Sequence, residues 1–134
     1  MASKDILVCG TLNLETTFPI AGFPLGYEPV CYRPFGIRSQ PSGVGFNIAR
    51  ALGTLGNRVR LVSMVGSDFL GTALRQSMAE FGVSDEFILP VLDQTPQSIV
   101  IFDGAEHFPR NEVVILGRTA VGVVHGLSRS LQGV

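Results

Sequence analysis

Three short segments of this 134-residue chain carry side chains that could do chemistry. The first is Gly10-Thr11-Leu12-Asn13-Leu14-Glu15, which follows a run of β formers, Asp5 to Thr11. In an extended backbone Asn13 and Glu15 project to the same side. An amide beside a carboxylate can exchange hydrogen bonds with vicinal hydroxyls. The carboxyl end of a strand is also where open α/β sheets bind ligands. A solvated turn is the alternative reading.

The second segment is Ser42-Gly43-Val44-Gly45-Phe46-Asn47, opening a helix. Gly43 and Gly45 have no β-carbon to keep a ligand off the backbone. The helix start supplies unpaired N–H donors, and Asn47 adds a side-chain amide in the first turn. Ile48 stands where a dinucleotide fingerprint has its third glycine, and no Gly-Lys-Ser/Thr ending marks a P-loop. Tight helix–strand packing is the alternative. The third segment is Val65-Gly66-Ser67-Asp68-Phe69-Leu70-Gly71. Here Asp68 reads as a helix N-cap and Gly71 as a close-packing position.

The elements that must position these residues follow an α/β pattern. Arg58 to Gly66, Phe87 to Leu92 and Gln97 to Phe102 read as strands. Ile48, Ala51, Leu52 and Leu55 form an apolar helical stripe with Ser42 as cap and Gly56-Asn57 as stop. A second helix capped by Asp68 carries Leu70, Leu74, Met78 and Phe81 on one face and ends at Gly82. Helix-linked strands should pair parallel, the last pair excepted. Between Leu12 and Pro41, Pro19, Pro24, Pro29, Pro34 and Pro41 forbid a long helix. Thr17 to Ile20 and Pro29 to Tyr32 read as short edge strands of a lid or binding flap. Glu112 to Leu116 reads as a strand and Thr119 to Leu131 as a weak helix.

Composition narrows the function classes. Hydrophobic residues make up 46% and charged residues 16%, which argues against disorder and for one modest domain with a real core. Ten basic against eleven acidic residues leave no field to hold a nucleic-acid backbone or an anionic membrane. No membrane span or signal peptide is read, so the cytoplasm is expected. Cys9 and Cys31 fall short of a zinc ligand set. Cys9 reads as a buried small hydrophobe, and a disulfide to Cys31 stays possible. No metal ligands are expected in the chain.

In order and spacing, GTLNLE, the Pro-rich lid, SGVGFNIARALGTLG and VGSDFLG resemble the N-terminal part of the ribokinase-like (pfkB) carbohydrate kinases, from about Asp5 to Asp103. The resemblance implies a partial ribokinase-like (Rossmann-like) three-layer α/β fold with a small β lid. Residues 1–104 would be the substrate-binding part, with the lid at about 14–40, and 105–134 a divergent tail. It implies ATP-dependent phosphoryl transfer to a hydroxyl of a sugar or nucleoside, with Mg²⁺. Asn13, Glu15, Gly43, Gly45 and Asn47 match the family's substrate-binding positions. Glu15 stands where Asp is usual, Ser42 replaces the first Gly, and Val44 a commonly polar residue. The lid in several members also forms a dimer contact, so a homodimer is implied.

The family's catalytic Asp lies in a D-T-x-G-A-G-D segment. Asp103-Gly104-Ala105-Glu106 lacks its second Gly and final Asp. The expectation is therefore a kinase by family, from a truncated or altered reading frame, with the sugar half present, the ATP half absent and no catalytic residue assigned. The competing expectations are a non-catalytic binding or dimerising α/β module and an unrelated nucleotide-binding domain. The missing third Gly and the Pro-rich insertion after strand one disfavour the last.

Overall fold

The computed structural model describes residues 3–27, 29–30, 32, 36–105 and 108–116. Ten elements follow in order. They are β1 (Asp5–Cys9), β2 (Asn13–Ile20), β3 (Arg38–Ser42), α1 (Val44–Thr54), β4 (Arg58–Gly66), α2 (Phe69–Ser77), a 3₁₀ turn (Met78–Phe81), β5 (Ile88–Leu92), β6 (Gln97–Ala105) and β7 (Phe108–Leu116).

They build two sheets. The first has the order β1-β4-β5 with both pairings parallel, as the helical crossovers require. The second has the order β3-β2-β6-β7. Its β2–β6 pair is parallel and its outer pairs are antiparallel. The expected lid strands thus share a sheet with β6 and β7, and position 104 falls inside β6.

The helices pack on one face of the first sheet. Val8, Leu61 and Val65 meet Phe46, Ala49, Leu74, Met78 and Ile88 in one cluster. The Phe46 ring, fully buried, stands edge-on to Phe81 at 5.3 Å between centroids. The stripe expected on α1 is rotated. Ile48, Ala51 and Leu55 are exposed, whereas Gly45, Phe46 and Ala49 are buried and Leu52 is half-buried. The segment carries apolar residues nearly all round, so periodicity alone admits more than one stripe. Gly45 decides: a β-carbon there would lie 2.5 Å from the Gly10 carbonyl carbon, so this side of α1 must face the end of β1.

Other expectations also shift. Pro29, Val30 and Tyr32 lie outside any strand, and β3 forms later, at Arg38–Ser42. Thr17 to Ile20 is the second half of β2, and Glu112 to Leu116 the second half of β7. Cys9 is exposed rather than buried. Strand alternation sends Val8 into the core and so turns Cys9 to the opposite face. Cys31 and Thr119 to Leu131 lie outside the described residues. Among the described residues no helix is long and apolar enough to cross a membrane.

Candidate functional site

The chain passes between the two sheets at three places: Gly10 to Leu12, Ser42 to Gly43, and Asp93 to Pro96. At the first crossing the backbone leaves β1 and starts β2 with Asn13. Asn13 and Glu15 therefore open a strand of the second sheet rather than extending the first. Because β2 is regular there, the two side chains fall on the same side, as expected from their spacing.

β2 lies between β3 and β6, and each neighbour supplies a serine. From β6, Ser98 Oγ accepts a 2.8 Å hydrogen bond from Asn13 Nδ2, and both residues are buried. From β3, Ser42 Oγ donates to Glu15 Oε2 at 3.2 Å. Ser42 is nine-tenths buried and stands opposite Asn13 in the strand register. Glu15 is half-buried.

Gly43 follows with φ +107°, a backbone conformation that favours glycine. A β-carbon there would lie 2.5 Å from the Thr11 carbonyl oxygen and 2.8 Å from Asn13 Oδ1. The two glycines thus have separate jobs. Gly43 lets the backbone touch the Asn13 amide, and Gly45 lets α1 touch Gly10. The packing reading of this segment is realised at Gly45.

Gly43, not Ser42, is the N-cap of α1, and no side chain of its own caps the helix. Ser42 is taken up by β3 and turns its hydroxyl to Glu15 instead. Thr11 does the capping from across the crossing. Its Oγ1 accepts from the Val44 N–H at 3.1 Å and its carbonyl from the Phe46 N–H at 3.1 Å. Two of the N–H donors expected to be unpaired for a ligand are therefore already satisfied. Asn47 donates its backbone N–H to the Gly43 carbonyl, and the residue is exposed in the first turn of α1.

Contacts thus join Asn13, Glu15, Ser42 and Gly43 directly, while Asn47 connects to them through Gly43. Sequence reasoning did not find Ser98 or the capping by Thr11. Ser98 carries one usable signal, a lone hydroxyl in the apolar run Gln97 to Phe102.

Asp68 is the N-cap of α2, as its position suggested. It accepts from the Gly71 N–H at 2.9 Å, from the Thr95 N–H at 2.9 Å and from the Thr95 hydroxyl. The Thr95 hydroxyl, the Thr95 amide and the Gly71 amide hold its carboxyl below the usual value. Thr95 Oγ1 also accepts from the Gly66 N–H at 3.1 Å. Asp68 therefore ties the third crossing to α2, a structural role. Next to it, Leu14 donates its N–H to the Pro96 carbonyl and joins the same crossing to β2.

A family model described as pfkB family carbohydrate kinase matches residues 3–121. That extends past Asp103, so the likeness runs further into the C-terminal part than the motifs alone marked. Among curated proteins, a pseudouridine kinase of Escherichia coli K12 is 38% identical over 87 residues, covering 62% of this chain and 26% of that protein. A ribokinase of Bacillus subtilis is 29% identical over 113 residues, covering 76% of this chain and 38% of the relative. The chain thus spans well under half the length of these two relatives. Among solved structures, a Cryptococcus neoformans ribokinase in complex with ADP superposes with a TM-score of 0.61 at 21% identity. That match covers 87% of this chain and 34% of the other, and it shows the shared fold.

Proposed function

The chain belongs to the pfkB family of carbohydrate kinases, and from that premise we propose that its β2–α1 region binds the hydroxyl-bearing acceptor, a sugar or nucleoside. The observation that carries this reading is the placement of Asn13 and Glu15 side by side on β2 against Gly43. A carboxylate accepts hydrogen bonds from two neighbouring hydroxyls at once, and such charge-assisted bonds are about twice as strong as neutral ones. Glu15 takes that role. Asn13 offers an amide to the same diol, and Gly43 brings backbone close to it. Asn47 reaches the acceptor from the first turn of α1.

In the family the reaction moves the γ-phosphoryl group of ATP to an acceptor hydroxyl. Phosphoryl transfer rests on positioning and on electrostatic stabilisation of charge. The residues described here serve the positioning of the acceptor. Among the described residues no three His, Cys, Asp or Glu side chains gather to hold a metal ion, and no step is assigned through Mg²⁺. The 134 residues contain no D-T-x-G-A-G-D segment. Our reading is that this chain holds the acceptor and does not by itself transfer phosphate. An ATP-hydrolysis and acceptor-phosphorylation assay of the purified chain against ribose, fructose, adenosine and pseudouridine tests this. Turnover would refute it.

We assign the chain to the cytoplasm, where ATP and phosphorylated sugars are kept. Among the described residues the second sheet ends in two edge strands, β3 and β7. Unpaired edges favour association of like strands, which supports a homodimer through the lid sheet. Sedimentation decides this point: a monodisperse monomer at tens of micromolar contradicts the dimer.

A further inference from the structure

The acceptor site of the proposed function presents its two polar side chains from β2, yet neither is left to find its own orientation. A glutamate has three rotatable side-chain bonds, and fixing such a chain on binding costs conformational entropy.

Ser42 and Ser98 address this from the two flanking strands. Ser42 Oγ donates to Glu15 Oε2, leaving Oε1 for a ligand. Ser98, almost wholly buried, accepts from Asn13 Nδ2. With Nδ2 on Ser98, the Asn13 Oδ1 stands against Gly43. Each serine bonds across the strand pairing, so the sheet itself sets both side chains.

We propose that Ser42 and Ser98 are positioning residues that preorganise Glu15 and Asn13 for a vicinal diol. This rests on the acceptor-binding reading above.

The test has a part without ligand and a part with it, both on the full 134-residue chain. Without ligand, Ser98→Ala should make hydrogen exchange at the Asn13 side-chain amide about threefold to tenfold faster, the worth of one net hydrogen bond. In thermal unfolding, Ser42→Ala and Glu15→Ala should be coupled, the double variant melting no lower than Glu15→Ala alone. With ligand, calorimetric titration by ribose and by pseudouridine should show Ser42→Ala binding about threefold to tenfold more weakly. Ser42→Thr, which keeps the hydroxyl, should restore affinity, and Ser42→Ala should add nothing in a Glu15→Ala background. A purely structural serine would lower the melting temperature yet leave the two affinity losses additive, and that result overturns the proposal. Unchanged amide exchange with uncoupled melting overturns it with no ligand needed. Intact coupling in a wild-type chain that binds neither probe instead refutes the acceptor-binding reading, and the positioning role falls with it.

Discussion

Gly45 of α1 and Gly10 at the end of β1 meet backbone to backbone. A β-carbon on Gly45 would lie 2.5 Å from the Gly10 carbonyl carbon, and one on Gly10 would lie 2.7 Å from Gly45 Cα. Neither neighbour is a flexible side chain that can yield. This contact fixes the rotation and height of α1 and, through Gly43, the distance between the helix start and Asn13.

Gly45→Ala should therefore push α1 off the sheet. We expect a loss of about 1–3 kcal/mol, in the range of overpacked cores. Denaturant unfolding of the variant checks this. The parallel control is Ala51→Ser on the exposed side of the same helix, which should stay within about 0.5 kcal/mol of wild type.

The rotated stripe gives a second outcome. Phe46→Ala should cost about 3–5 kcal/mol, as for a fully buried aromatic, while Leu55→Ala should fall within about 0.5 kcal/mol. Leu55 is 77% exposed and Phe46 is 0% exposed. Comparable losses for the two would contradict the packing described here.

Asp68 makes stability depend on pH. Its carboxyl is held below the ordinary value by hydrogen bonds from Thr95 and Gly71. The charged form is thus favoured in the folded state. The resulting stabilisation is present above the unfolded value, about 3.9, and is lost as pH falls through the lower folded value. Asp68→Ala should destabilise at pH 7 by about 1–2 kcal/mol, the worth of a helix cap. It should also reduce the further loss of stability between pH 5 and pH 2. Parallel unfolding curves for both proteins across that range would count against the cap and clasp.

Much of this architecture was legible in the residue order. Arg58–Gly66 forms the strand read there, the Asp68-capped helix buries Leu74 and the 3₁₀ turn after it buries Met78, and the extended spacing of Asn13 and Glu15 holds. What stayed hidden depends on pairing between distant segments. Ser42 looks like a helix cap because serine commonly caps, yet its place opposite Asn13 in the β2–β3 register assigns its hydroxyl to Glu15. Thr11 takes over the cap from 33 residues away. Ser98 reaches Asn13 across a separation of 85 residues, which no local pattern encodes. The buried face of α1 is not legible locally because an apolar helix offers several faces, and the Gly10 contact selects one.

The central claim is that Glu15, beside Asn13, holds the acceptor hydroxyls. Calorimetric titration of the wild-type chain and of Glu15→Ala with ribose and with pseudouridine tests it most directly. The account predicts saturable binding of at least one ligand by wild type, weakened about tenfold to a hundredfold in the variant, the worth of hydrogen bonds to a charged group. Equal affinity in the two proteins, or no binding by wild type, would contradict it.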